Sequence, residues 1–318
     1  MNPESEDPGD SAACPTRRRR GVATRIVLWV IVPYVSIVVM ITFLQRKLIY
    51  LPTRETVSAA ETGYTTEQLQ QVAVEVEDGL ALAGWLVLAD GQRAERDGAV
   101  RIVGSSDQRL ILYFPGNAGH RGYRIREIRQ FSGLGNHVLF FDYRGYGENG
   151  GSPTEQNLTG DARRIWDYAT SELGVRPEQI ILWGESLGGG VATQLAASLC
   201  DEGVVPGGLM LRGTFTALTD TAACHYPWLP VRWLLVDRYE SIERIPNVTC
   251  PLLVIHGRQD RIVPFEQGER LFAAAPDESH DGRPKMFVEL PDAGHNDIMY
   301  VAADDVEAAV AKFLENLP

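Results

Sequence analysis

The chain has 318 residues, 44% hydrophobic and 23% charged, which suits one large domain or two small ones with a buried core. Its 42 acids against 30 bases give a net charge of −12, and because residues 1–50 are basic the remainder carries −15. A body this acidic repels polyanions, which excludes nucleic-acid binding as a main function.

Residues 1–25 begin with a Pro-, Ser-, Asp- and Glu-rich stretch and end in the basic run Arg17–Arg20, a composition expected of a disordered tail. Residues 26–44, "IVLWVIVPYVSIVVMITFL", contain no charge, and at about 1.5 Å per residue they nearly cross a ~30 Å hydrocarbon core. Pro33 is compatible with a kinked membrane helix. No small-residue cleavage site follows, so the stretch reads as an uncleaved transmembrane anchor in contact with membrane lipid. Five Lys and Arg before the span against Arg46, Lys47 and Arg54 after it predict an inside N-terminus and a non-cytoplasmic body. A helix lying on the membrane surface, with a cytosolic body, is the alternative.

Strand-like runs follow at 72–76, 80–88, 110–114, 137–141, 180–183, 209–213, 252–257 and 286–290, the first two as an antiparallel pair. Several are apolar throughout, as strands covered on both faces are. Helical patterns at 123–134, 155–173, 187–199, 264–275 and 304–317 alternate with them. That alternation predicts an α/β fold with a mostly parallel sheet and helices on both faces. The polar residues 89–108 read as a surface hairpin or loop. The chain has no internal repeat.

The run "IILWGESLGGGV" places Ser186 between Gly184 and Gly188 at a strand-to-helix turn. This GxSxG turn is a nucleophile elbow: the strained turn exposes the hydroxyl, and small neighbours let strand and helix approach. Serine needs a base, and the base needs an orienting acid, in the chain order Ser, acid, His. Asp260 after "LLVIHGRQ" and His295 in "PDAGHND" fill those places. Leu187 supplies the first oxyanion N–H, and the loop "FPGNAG" the second, from Asn117 or alternatively Ala118. His256 reads as a packing residue at a strand end. Asp142 reads as loop structure, and Asp292 and Asp297 stand too near His295 to orient it. His120 is a candidate substrate contact, whereas His137, His225 and His280 have no place in the order. The glycines match neither a dinucleotide fingerprint nor a P-loop. Cys14, Cys200, Cys224 and Cys250 lack CxxC spacing or a His cluster, which argues against a metal site. They read as buried free thiols, with a Cys224–Cys250 bridge as the alternative.

From residue 45 onward, "QRKLIYLPT", "FPGNAG", "FDYRGYGENGG", "GESLGG", "HGRQDRIVP" and "AGHND" follow one another in an order that resembles the α/β-hydrolase superfamily. Within it the chain resembles the membrane-anchored, Bem46-like serine hydrolases. The resemblance implies an eight-stranded core over residues 45–318 and Ser186, Asp260 and His295 as a triad. It also implies hydrolysis of apolar acyl esters or thioesters without a cofactor. Pro115-Gly116 stands where many relatives carry His-Gly. Residues 214–245 lie where such enzymes place a cap, and Tyr226, Trp228, Trp233 and Tyr239 are candidates for an acyl pocket or for core packing. A serine aminopeptidase would use the same residues, and a catalytically silent membrane-bound binding module is the non-enzymatic alternative.

Overall fold

The computed structural model describes residues 24–77, 79–90, 95–96, 100–101 and 108–317. The expected tail therefore lies almost wholly outside the described residues, as do Cys14 and most of the 89–108 loop. What is described of that loop is a short antiparallel pair, Glu95–Arg96 with Val100–Arg101.

The chain divides between Gln45 and Arg46 into two compact units. The described part of the first belongs to a helix, α1 (Thr24–Ile49), whose last four residues fall in the second unit and whose 26 residues are long and apolar enough to cross a membrane. None of its most apolar window is buried: Trp29 and Phe43 expose most of their surface. A π-helical stretch at Val27–Ile31 ends two residues before Pro33 and widens the helix where the ring would crowd the preceding turn.

The second unit is built on an eight-stranded sheet: β1 (Leu69–Glu75), β2 (Ala81–Val87), β3 (Leu110–Phe114), β4 (His137–Phe141), β5 (Ile180–Glu185), β6 (Gly208–Arg212), β7 (Leu252–Gly257) and β8 (Met286–Leu290). Their order across the sheet is β1-β2-β4-β3-β5-β6-β7-β8, with β2 antiparallel to both neighbours and the rest parallel. In β3 every residue is buried, Leu110, Leu112 and Phe114 on one face and Ile111 and Tyr113 on the other. Such a strand has no solvated face, which is why its sequence runs apolar without alternation.

Helices cover both faces. Leu158, Ile165 and Trp166 of α3 (Glu155–Asp167) and Val191, Leu195 and Leu199 of α4 (Leu187–Asp201) pack on one. Ile128 and Phe131 of α2 (Ile125–Gly133) and Val306, Val310 and Phe313 of α7 (Ala303–Glu315) pack on the other. Two further helices, α5 (Leu218–His225) and α6 (Phe265–Ala274), follow β6 and β7. The strand pairing sets the rim where the site lies. Phe114 pairs with Gly184 and Arg212 with both Glu185 and Ile255, so β3, β5, β6 and β7 leave the sheet at one level.

Candidate active site

Ser186 stands between β5 and α4 with φ 50° and ψ −113°, and it is one of two non-glycine residues with positive φ among those described. That conformation costs about 1–3 kcal/mol and persists only where the surroundings hold it. Here both backbone groups of Ser186 are tied. Its N–H donates to the Arg212 carbonyl (2.9 Å), and its own carbonyl accepts from Gly189 N–H (2.9 Å) and Thr214 Oγ1 (2.9 Å). A Cβ on Gly184 would come within 2.6 Å of Gly189 Cα, and one on Gly188 would collide with the Phe114 carbonyl. The glycines are there because α4 turns back directly against β5 and β3.

His295 and Asp260 reach the same rim from the loops after β8 and β7. His295 Nδ1 lies 2.6 Å from Asp260 Oδ2, and Nε2 lies 3.0 Å from Ser186 Oγ. Asp260 is buried, and burial alone would raise its pKa. Hydrogen bonds from His256 and His295 outweigh that and hold the carboxyl well below its ordinary range, so it is ionised. An ionised carboxylate only accepts, so Nδ1 carries the proton and Nε2 faces the serine bare. Asp260 Oδ1 is fixed by the N–H groups of Ile262 (2.8 Å) and Val263 (2.7 Å). An imidazole in this state can take the proton of Ser186.

Several neighbours hold this arrangement. His256, fully buried at the end of β7, directs Nε2 at both the Val263 carbonyl (3.0 Å) and Asp260 Oδ2 (3.4 Å), so it supports the carboxylate as well as packing the strand end. Asp297 accepts from Gly294 N–H (2.7 Å) and closes the turn that presents His295. Asp142 accepts from Arg121 N–H (2.6 Å) and ion-pairs with its guanidinium, a loop-fixing role. His225 Nε2 bonds the Ile262 carbonyl (2.7 Å), linking α5 to the turn after Asp260.

Leu187 is the first residue of α4, so its N–H belongs to the unpaired first turn at the positive end of the helix. The loop after β3 runs alongside: a Cβ on Gly116 would lie 3.7 Å from that of Ser186. Asn117 is anchored there, its Nδ2 donating to the Ile49 carbonyl (2.7 Å) and its carbonyl accepting from Leu51 N–H and Tyr146 Oη. The Asn117 side chain is thus committed to the Ile49 carbonyl. Ala118 begins a two-residue parallel bridge to Leu51.

The remaining candidates are dispersed. His120 caps a short helical turn, its Nδ1 accepting from Gly122 N–H (3.1 Å) and its Nε2 lying 3.7 Å from Glu55, so both ring nitrogens face protein. Tyr226, Trp228 and Trp233 are exposed and do not belong to the core. Tyr239 does: it is buried with φ 45°, its hydroxyl 2.9 Å from that of Tyr50, and core packing rather than an acyl pocket accounts for it. The thiols also divide. Cys250 is buried and Cys200 partly so, but Cys224 is exposed, contrary to the expectation for it, because it lies on the outer part of the short helix α5; all three are free. A surface cavity of about 510 Å³, bounded by Arg126, Arg129, Gln130 and Glu307 among others, includes none of Ser186, Asp260 and His295.

One cluster has no counterpart in the sequence reading. Glu185 accepts from Arg124 Nε (2.7 Å) and Nη2 (3.0 Å) and from Tyr113 Oη (3.0 Å), and Arg212 Nη2 stands 3.2 Å away. Glu127 meets the same Arg212 nitrogen at 3.5 Å. Burial alone would raise the Glu185 pKa, but Arg212 and Arg124 bring it down to about 2. Glu127, where burial prevails, is raised.

A model of the prolyl oligopeptidase family matches residues 123–317. An uncharacterised protein of Mycobacterium tuberculosis is 40% identical over 290 residues, which cover 89% of this chain and 94% of that protein. A Danio rerio protein named lysophosphatidylserine lipase ABHD12 is 33% identical over 314 residues, 89% of this chain and 82% of its own. Among solved structures, an esterase of Pyrococcus furiosus superposes with a TM-score of 0.60 at 19% identity, covering 85% of this chain and 98% of its own. An α/β-hydrolase of Vibrio vulnificus gives 0.60 at 22% identity, with 79% and 83% covered. At these identities the two superpositions establish the fold.

Proposed function

The chain belongs to the prolyl oligopeptidase family within the α/β-hydrolase superfamily and is a hydrolase, and from this premise we propose that it cleaves carboxylic esters of apolar acyl groups through Ser186, His295 and Asp260. The observation that carries the reading is the unbroken chain from Ser186 Oγ through the His295 ring to the Asp260 carboxylate. As Ser186 Oγ attacks the ester carbonyl, its proton passes to His295 Nε2. The N–H groups of Leu187 and of Asn117, or alternatively Ala118, hold the negative oxygen. His295 returns the proton to the departing alcohol, leaving an acyl-enzyme. Water, deprotonated by the same nitrogen, then releases the acid. Asp260 keeps the ring in the tautomer that accepts at Nε2. Thioesters follow the same route, and the reading requires no cofactor.

Helix α1 is the proposed anchor: residues 26–44 cross a membrane, the N-terminus faces inside, and residues 45–318, with 214–245 as a cap, form a catalytic domain on the non-cytoplasmic side. The exposed Tyr226, Trp228 and Trp233 of that cap are the candidate contacts for an apolar substrate. The Danio rerio relative named as a lipase of a lysophospholipid supports a lipid ester. The family's name favours a second reading, a peptidase on the same residues.

The two separate on substrate. Purified full-length protein in detergent is offered aryl esters of increasing acyl length, a monoacyl phospholipid, an acyl thioester and an aminoacyl-prolyl amide. The ester reading predicts release from the esters, faster with longer acyl chains, and an intact amide. Amide cleavage with the esters untouched would transfer the site to the peptidase reading.

A further inference from the structure

The cap segment displays apolar side chains to solvent. Trp233 is 90% exposed, Val236 63%, Trp228 53% and Tyr226 51%. Large apolar residues gathered in so short a stretch mark an interaction surface. The question is what covers them.

The segment's attachment answers it. Asp237 receives Arg46 Nε at 3.0 Å and the Tyr50 hydroxyl at 3.1 Å, and the Tyr50 hydroxyl also meets that of Tyr239 at 2.9 Å. Arg46 and Lys47 are the first charges after the apolar run, and Tyr50 directly follows α1. Trp233 is four residues from Asp237, within roughly 14 Å along the chain. The most exposed aromatic of the cap is thus tethered beside the point where the apolar helix ends. Tryptophan and tyrosine favour the level of the lipid headgroups, where an apolar ring and a polar edge are both accommodated. The arginines nearby are each matched by an acid: Arg46 by Asp237, Arg232 by Asp220 (2.7 Å) and Arg238 by Glu240 (2.7 Å). Their charge is balanced locally, so the patch suits a zwitterionic surface held by apolar contact.

We infer that Tyr226, Trp228, Trp233 and Val236 form a second membrane contact that seats the cap in the headgroup layer of the leaflet α1 emerges from. The inference rests on the reading of α1 as an anchor. Such a contact presents the cap to lipid substrates in the leaflet, so they need not cross water.

The test uses the full chain in phosphatidylcholine vesicles brominated near the top of the acyl chain, in a Trp29→Phe background that removes the tryptophan of α1. Alkaline carbonate washing reports on α1, and quenching of tryptophan emission reports on the patch. Expected are retention in the pellet and a loss of up to about two fifths of the emission, the share of Trp228 and Trp233 among five tryptophans. Trp233→Ser should remove about half of that loss while carbonate retention stays unchanged. Retention without quenching overturns the inference and leaves the anchor standing, and a cross-linked dimer in that case gives the patch to a second copy. Release by carbonate overturns the anchor, and the inference falls with it.

Discussion

Glu185 occupies a variable place in the GxSxG turn, and nothing in its local sequence sets it apart. Its importance comes from Arg124 and Arg212, which lie on other elements and converge on one carboxylate beneath Ser186. Side chains brought together from three separate elements leave no period or spacing to read, which is why this network was invisible while Ser186, Asp260 and His295 were not: those three sit in short motifs with a fixed order. Arg212 also gives its carbonyl to the Ser186 N–H, so the network and the strained serine share a residue. Removing one partner of a buried charge cluster leaves the others uncompensated. Glu185→Gln should therefore lower the unfolding free energy by roughly 3 kcal/mol, read from the urea midpoint at constant slope. An unchanged midpoint would mean that the arginines find other partners.

At the scale of elements, the apolar runs placed β3, β4 and β7 at their observed bounds, because a strand buried on both faces writes its length directly into the sequence. The helical pattern at 155–173 is realised as α3 to Asp167 and continues as a π-helical stretch through Glu172, a change of helix type that the apolar spacing does not encode. β4 also carries a prediction. His137 at its start is buried, and its Nδ1 accepts the Ala89 N–H at 3.1 Å. Burial lowers its pKa from 6.5 to about 4. A proton arriving at Nδ1 would point at that N–H and break the bond. The folded state therefore holds fewer protons than the unfolded one between these values. The stabilisation is full above pH 6.5 and is lost as the pH falls towards 4. The full shift corresponds to roughly 3 kcal/mol. His137→Gln keeps an acceptor without titrating, so the drop in stability between neutral and acidic pH should shrink by about that amount. Equal pH dependence in both proteins would remove His137 as its source.

For the molecule as a whole, the sheet order brings together residues that are 74 and 35 positions apart along the chain, Ser186 to Asp260 and Asp260 to His295. Parallel strands leaving the sheet at one level make that convergence a property of topology. The proposed chemistry then needs only the elbow, the two loops and an ionised Asp260. The acyl specificity is not written in a motif, since the cap aromatics carry no spacing that separates a substrate contact from a membrane contact. The most direct test of the account is to react the full-length protein with a fluorophosphonate and locate the adduct by mass spectrometry. A single adduct on Ser186, absent from Ser186→Ala and strongly reduced in His295→Ala, is the predicted result. An adduct on another serine, or undiminished labelling of Ser186→Ala, would contradict it.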